Sequence, residues 1–452
     1  MSKLDVLLIS TPSPDPSMRF TFEKQGMPPL GLCYIATILK EEGYSVKIID
    51  LAIPDRNIND VISKIEEGNP RVIGISCATE TYNTALRLSK IIKSIFNDCK
   101  IVFGGPHTSF EYEAALNQNS IDYVVINEGE IAFKNLCDYL IKSIGTISEV
   151  RGVAYKDNNI IMCTEPEPFI KDLDILPFPD RSLFDDIHKY ANPSTLITSR
   201  GCPGKCIFCA ASVLSGGRYR MRSAENIFAE FKYLKSLGFN HVDIVDDTMT
   251  VNITRLNQFL DMLISSNLGL TWYCESRVDI ISKRLLLKMK EAGLIKIQFG
   301  VEAGNQKSLD AINKGITIDQ IRNVFRWCKK LKIKTFTNFI IGNPSDNADD
   351  IKDTLNFAEE LITLGADVNI TVSTPFPGTP IWVDPAEFGL EIADSDLDHY
   401  NTFCPVVNTK NFSSEDIRNE YYEALRRIQK IKKEVASNTS DINIRLNAPM
   451  PD

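Results

Sequence analysis

The residues best placed to do chemistry are three cysteines in the run SRGCPGKCIFC: Cys202, Cys206 and Cys209, spaced Cys-x-x-x-Cys-x-x-Cys. Three thiolates on one loop can hold three irons of a cubane iron–sulfur cluster and leave the fourth open to a small-molecule ligand. Gly201, Pro203 and Gly204 suit a loop that folds back tightly around such a group. Structural zinc is the competing reading. Zinc normally takes four protein ligands, however, no second Cys or His pair stands at finger spacing, and the four histidines are scattered. Chance spacing of buried cysteines is the third reading. The remaining cysteines of the eleven (Cys33, Cys77, Cys99, Cys137, Cys163, Cys274, Cys328 and Cys404) stand alone and read as small buried hydrophobes. An odd cysteine count spread along a chain without an export signal speaks against a disulfide framework.

The elements that must carry this loop are legible. The chain has 452 residues, enough for about three domains. Fifty Lys and Arg against 59 Asp and Glu give a net charge of −9, which excludes general binding to a phosphate backbone, so no nucleic-acid partner is expected. No apolar run approaches the roughly 20 residues of a bilayer span. The start Met1-Ser2-Lys3-Leu4-Asp5 has no signal-peptide core. The expectation is a cytoplasmic protein with no membrane span.

Apolar, β-branched runs alternate with amphipathic stretches twice along the chain. The first series has strands at Leu4–Ser10, Ser45–Asp50, Arg71–Ser76, Lys100–Gly104 and Ile121–Ile126, each followed by a helix. It predicts an α/β, doubly wound, Rossmann-like domain over 1–145, with ligands at the carboxyl ends of its strands. A hairpin flanking Lys156-Asp157-Asn158-Asn159 and a segment with four prolines, Glu165–Asp180, make 146–193 a connection. The second series has strands at Thr195–Ser199, His241–Val245, Leu270–Glu275, Ile295–Val301, Lys334–Ile341 and Asp367–Ser373. Six strand–helix units predict a partial (β/α)6 barrel over 194–400. Ser413-Ser414-Glu415-Asp416 caps a final helix, giving a short helical C-terminal region over 401–452, with a disordered polar tail from Ser437.

The cysteine spacing, placed directly after the first strand of a six-strand partial barrel with Phe208 before the last Cys, resembles the radical S-adenosylmethionine (SAM) enzymes. The resemblance covers roughly Ser194 to Ile381. It implies that Cys202, Cys206 and Cys209 bind a 4Fe–4S cluster whose open iron is chelated by SAM. By the same resemblance Asp246 approaches the methionine amino group, Arg277 pairs with the SAM carboxylate, Glu302 in FGVEAG hydrogen-bonds the ribose, and Gly342 in IIGNP lies beside the adenine. Asp246-Asp247 stands where the family often has a Gly-Gly-Glu-type segment, a departure shared by the cobalamin-associated branch. Asp247 and Glu275 are weaker candidates, and PFPGTP (Pro375 to Pro380) also resembles the family's segment after strand six, with a rigid turn as its plain reading.

The first domain lacks Gly-x-Gly-x-x-Gly, which removes the dinucleotide reading. Its segments MPPLGLCYIATILKEEGYSVKIID, FGGPHTSF and DYVVINEGE resemble the cobalamin-binding domain of cobalamin-dependent radical SAM proteins. Gly104 and Gly105 then let the corrin or its tail approach the backbone, and Ser76 and Thr79 hydrogen-bond its amide arms. His107 is the tempting cobalt ligand. Gly105, however, stands where the ligand motif Asp-x-His-x-x-Gly has its Asp, and the expectation is cobalt without a protein imidazole. The resemblance implies a methyltransferase that acts on an unactivated carbon of a small molecule or peptide, through methylcobalamin and a 5′-deoxyadenosyl radical, with an external one-electron reductant such as flavodoxin or ferredoxin. The alternatives are a cobalamin-dependent cyclase or rearrangement enzyme, a methylthiotransferase with Cys33, Cys77 and Cys99 at a second cluster, and a corrinoid sensor with a vestigial barrel.

Overall fold

Five short apolar runs build the first sheet: Val6–Ser10 (β1), Val46–Asp50 (β2), Val72–Ser76 (β3), Lys100–Gly104 (β4) and Tyr123–Val125 (β5). They pair in parallel in the order β2-β1-β3-β4-β5. This is the doubly wound order, in which the winding reverses between β1 and β3 and opens a crevice at their carboxyl ends. Register brings Ser10, Ser76 and Gly104 into one row at that end. The helices Leu30–Glu41, Ile58–Gly68, Tyr82–Ile95 and Gly129–Lys142 connect the strands, and Asn57 with Asp60 closes a capping box on the second. The computed structural model describes residues 3–14 and 26–438.

The predicted hairpin forms, Val153–Asp157 (β6) with Ile160–Cys163 (β7), but it is no free-standing connection. It extends the same sheet antiparallel to β5, with Asn158 and Asn159 both at positive φ in its turn. The proline-rich stretch also belongs to this unit. Leu183, Phe184 and Tyr190 lie in its core, and the Tyr190 hydroxyl donates to Asp50 over 2.8 Å. Within Glu165–Asp180 the prolines leave only a short 3-10 turn, Leu173–Ile175, yet Ile170, Leu173 and Leu176 between them are buried. The described residues up to 193 form one compact unit and those from 194 a second.

In the second unit Thr195–Leu196 (β8) is followed by a small antiparallel pair, Ser199–Arg200 (β9) with Arg220–Met221 (β10). His241–Ile244 (β11), Thr271–Ser276 (β12), Leu294–Glu302 (β13), Lys334–Ile341 (β14) and Ala366–Val372 (β15) complete six parallel strands in sequential order. The helices Ala224–Ser236, Ile253–Ser266, Lys283–Glu291, Ile318–Leu331 and Ala348–Thr363 alternate with them. Trp272, Cys274, Ile297 and Phe299 join these helices in the core, so the alternate residues Tyr273, Glu275 and Gln298 line the opposite, inner face. After β15 come a short pair, Leu390–Ile392 (β16) with Val407–Thr409 (β17), and the helix Ser414–Asn438. Ser413 and Asp416 cap that helix reciprocally, and Ile417, Tyr421, Ala424 and Ile428 bury into the main core. The helix covers Ser437, where the sequence suggests a disordered tail; residues 439–452 of that tail lie outside the described residues.

Candidate functional site

The cysteine loop follows β9 and is tied at both ends. Gly201 has φ +88°, and a Cβ there would lie 2.2 Å from the Arg218 carbonyl oxygen, so only glycine allows this turn. A Cβ on Gly204 would lie 3.3 Å from Cys202 Sγ, 3.8 Å from Cys206 Sγ and 3.2 Å from Arg277 Nη1. Two thiols and a guanidinium therefore gather around one backbone position. The Gly204 N–H points at Cys202 Sγ (3.4 Å), with Thr248 Oγ1 also 3.4 Å from that sulfur. Among the described residues no group of three or more His, Cys, Asp or Glu side chains is drawn together around one point. A cubane can take one thiolate at each of three irons, which suits three cysteines carried on one loop. Burial pushes up the pKa of Cys206 and takes the Cys209 thiol to about 11, so metal binding must displace protons.

The acidic pair after β11 holds this loop from beneath. Asp246 accepts from the Thr198 N–H, Thr198 Oγ1 and Ser199 Oγ, and Asp247 Oδ2 accepts from the Gly201 N–H at 2.9 Å. The structure thus gives Asp246, expected beside the SAM amino group, a holding role for the strand end that leads into the cysteines. Arg277 chelates Asp279 through Nε and Nη2 (3.0 and 3.2 Å) and donates from Nη2 to the Lys314 carbonyl, which turns Nη1 toward Gly204.

Glu302 ends β13 in the left-handed region, φ +69°, at a register shift between Gly300 and Glu302. Its Oε1 accepts from Lys314 Nζ at 2.6 Å, with both side chains 9% exposed. Burial alone would depress the Lys314 ammonium, but the charges of Glu302 and Cys206 outweigh it and raise its pKa. A Cβ on Gly300 would lie 2.4 Å from Glu302 Oε1 and 2.6 Å from Lys314 Nζ, so the pair occupies the space that glycine leaves. Lys314 escapes the sequence reading; its only signal is a lone lysine in the apolar run AINKGI. Gly342, at φ +70°, has its open side filled by Ile417 of the last helix. On the inner face burial, reinforced by the carboxylates of Asp247, Asp246 and Glu302 against a Tyr273 hydrogen bond, pushes Glu275 up to about 7. Gln298 Nε2 donates to Glu275 and Tyr273 hydroxyl to Gln298.

In the first unit the structure brings all five expected residues to the carboxyl end of the sheet. Gly105 has φ 102° and ψ 179°, and a Cβ there would lie 2.6 Å from the Cys77 carbonyl and 3.1 Å from Ser76 Oγ. Gly104 is open, with nothing nearer to its Cβ position than the Val125 carbonyl at 3.8 Å. His107 Nδ1 lies 3.3 Å from Thr79 Oγ1, and its ring packs 4.4 Å from that of Tyr82. Burial lowers the His107 pKa to about 4, so the imidazole is neutral at ordinary pH. The open backbone at Gly104, with the hydroxyls of Ser76 and Thr79 and a neutral His107 at the same sheet end, fits an amide-fringed corrinoid. Cys33, Cys77 and Cys99 instead point at separate backbone carbonyls, those of Asp180, Gly104 and Phe96, an arrangement that offers no second cluster site.

The comparisons with known proteins agree with both units. The B12 binding domain family matches residues 24–137 and the radical SAM superfamily residues 196–358. The chain belongs to the cobalamin-dependent radical SAM enzymes, whose cofactors are cobalamin, a 4Fe–4S cluster and SAM. It is 33% identical over 396 residues to the uncharacterized methyltransferase PH0819 of Pyrococcus horikoshii, covering 86% of this chain and 85% of that protein. It is 29% identical over 393 residues to the anaerobic magnesium-protoporphyrin IX monomethyl ester cyclase of Rubrivivax gelatinosus, covering 84% and 70%. In fold it matches the radical SAM methyltransferase TsrM of Kitasatospora setae, at TM-score 0.74, 16% identity and coverage of 100% and 92%. No helix among the described residues is long and apolar enough to cross a membrane.

Proposed function

We propose that this chain is a methyltransferase that methylates an unactivated carbon of a small molecule or peptide in the cytoplasm, with electrons from an external one-electron donor such as flavodoxin or ferredoxin. The observation that carries the reading is the pairing, in one chain, of a three-cysteine barrel loop with a bare-glycine cradle for a corrinoid, in a relative of a methyltransferase. When bound, the corrinoid supplies a methyl group and cluster-bound SAM a hydrogen-abstracting radical. The chain supplies the rest. Cys202, Cys206 and Cys209 hold the cluster, Asp247 and Asp246 fix their loop, Glu302 on Lys314 takes the ribose, and Arg277 Nη1 takes the carboxylate. Ser76, Thr79 and His107 hydrogen-bond the corrinoid at Gly104 and Gly105. Gly105 stands where the Asp-x-His-x-x-Gly ligand motif has its Asp, which supports cobalt without a protein imidazole.

The relationship to a cyclase favours one second reading, radical chemistry without net methylation. Anaerobically reconstituted enzyme, reduced and given SAM labelled at its methyl, separates the two. The methyltransferase forms S-adenosylhomocysteine and places label on the corrinoid, whose Co(II) resonance shows no nitrogen splitting. A cyclase forms 5′-deoxyadenosine alone and leaves the corrinoid unlabelled.

A further inference from the structure

The segment after the last barrel strand forms a hydrophobic cluster of its own, separate from the main core. Ile381, Leu390, Tyr400, Val406 and Val407 pack there with Ile207, and Phe208 lies against them. Ile207 and Phe208 are the two residues between Cys206 and Cys209. The backbone repeats the contact: the Ile207 N–H donates to the Ile312 carbonyl at 3.2 Å, and the Ile381 N–H to the Ile207 carbonyl at 3.4 Å. Two residues earlier in the loop, Asn313 Nδ2 donates to the Lys205 carbonyl at 2.9 Å. Ile207 is 8% exposed and Ile381 fully buried, so the clasp is dry.

We infer that the segment 376–407 is a brace for the cysteine loop, with Ile381 as a positioning residue that sets how firmly the cluster is retained. The inference rests on the assignment of the three cysteines to a 4Fe–4S cluster. A loop gripped from one side only by Asp246 and Asp247 would open locally, and each opening exposes an iron to competing ligands. Because the brace is a satellite cluster, loosening it acts on the loop before it acts on the global fold.

The test follows iron release from anaerobically reconstituted full-length enzyme to bathophenanthroline. Ile381→Ala is expected to release iron at least about tenfold faster than wild type, because a truncated buried isoleucine leaves a cavity beside the loop. Ile381→Val should restore slow release. Leu234→Ala, which deletes a buried side chain of the main core, should lower the melting temperature and leave iron release slow. Release at the wild-type rate in Ile381→Ala, or equal acceleration in Leu234→Ala, overturns the brace. Should Ile381→Ala not fold, Val406→Ala takes its place. Hydrogen exchange of the metal-free chain gives a readout independent of the cluster. The Ile207 amide should exchange faster in Ile381→Ala, and unchanged exchange also overturns the proposal. A wild-type chain that takes up no iron would instead count against the cluster assignment and leave the exchange result to judge the brace.

Discussion

Glu302 and Lys314 form a pair in which neither partner can be lost alone without leaving a buried group unmatched. Glu302→Gln keeps the shape, removes the charge and strands the Lys314 ammonium. We expect it to weaken SAM binding by about 1.5–3 kcal/mol through the lost charge-assisted hydrogen bond. Thermal stability should fall as well, by up to about 3–5 kcal/mol if the ammonium stays charged. Glu302→Gln combined with Lys314→Met should recover stability but not SAM affinity, measured by denaturant unfolding and by equilibrium binding; recovery of both would make Glu302 a structural residue only. The place of Glu302 at the end of a barrel strand was legible. Lys314 was not, because nothing in one sequence shows that a lysine twelve positions on folds back under Gly300 to meet it. For Asp246 the sequence suggests contact with the methionine amino group, and the structure shows hydrogen bonds from Thr198 and Ser199 to its oxygens, partners nearly fifty residues back that local pattern does not reveal.

Strands and helices were read more securely than their partners. Lys100–Gly104 and Lys334–Ile341 keep the bounds their apolar runs predict, since each is a β-branched run ended by glycine. The hairpin β6–β7 was visible as a hairpin, but its docking on β5 was not, because backbone pairing between distant strands leaves little mark on either sequence. The helix Gln306–Ala311 is too short for periodicity to show. One element-level position carries a sharp expectation. Gly105 lies where φ 102° and ψ 179° are open essentially to glycine alone, and a side chain there meets the Cys77 carbonyl. Gly105→Ala should cost at least about 1–3 kcal/mol of stability and abolish binding of hydroxocobalamin, followed by its visible absorption. A variant that binds the corrinoid with wild-type affinity would show that the β3–β4 junction is no part of the cradle.

At the scale of the whole chain, each unit owns a sheet and a core, and the residues assigned to the two cofactors fall in different units. Changing Cys202, Cys206 and Cys209 together to Ala should therefore remove the cluster absorption and reductive SAM cleavage. Hydroxocobalamin at about a hundred times its dissociation constant should still stabilise the corrinoid-binding unit of that variant, by about 2.7 kcal/mol. If the variant loses corrinoid binding as well, the assignment of separate sites fails. The parallel pairing of β1–β5 and of the six barrel strands followed from the alternation of strand and helix, whereas the C-terminal segment remained mute because its contacts with Ile207 and Ile312 are with residues far back in the chain. That lateness has a consequence during synthesis. A ribosome delivers the three cysteines long before Ile381, Tyr400 and Val406 emerge, so a nascent chain presents its thiols on an unclasped loop. Iron delivered to it at that stage would meet a site still able to let it go, and lasting maturation of this enzyme belongs after translation has ended.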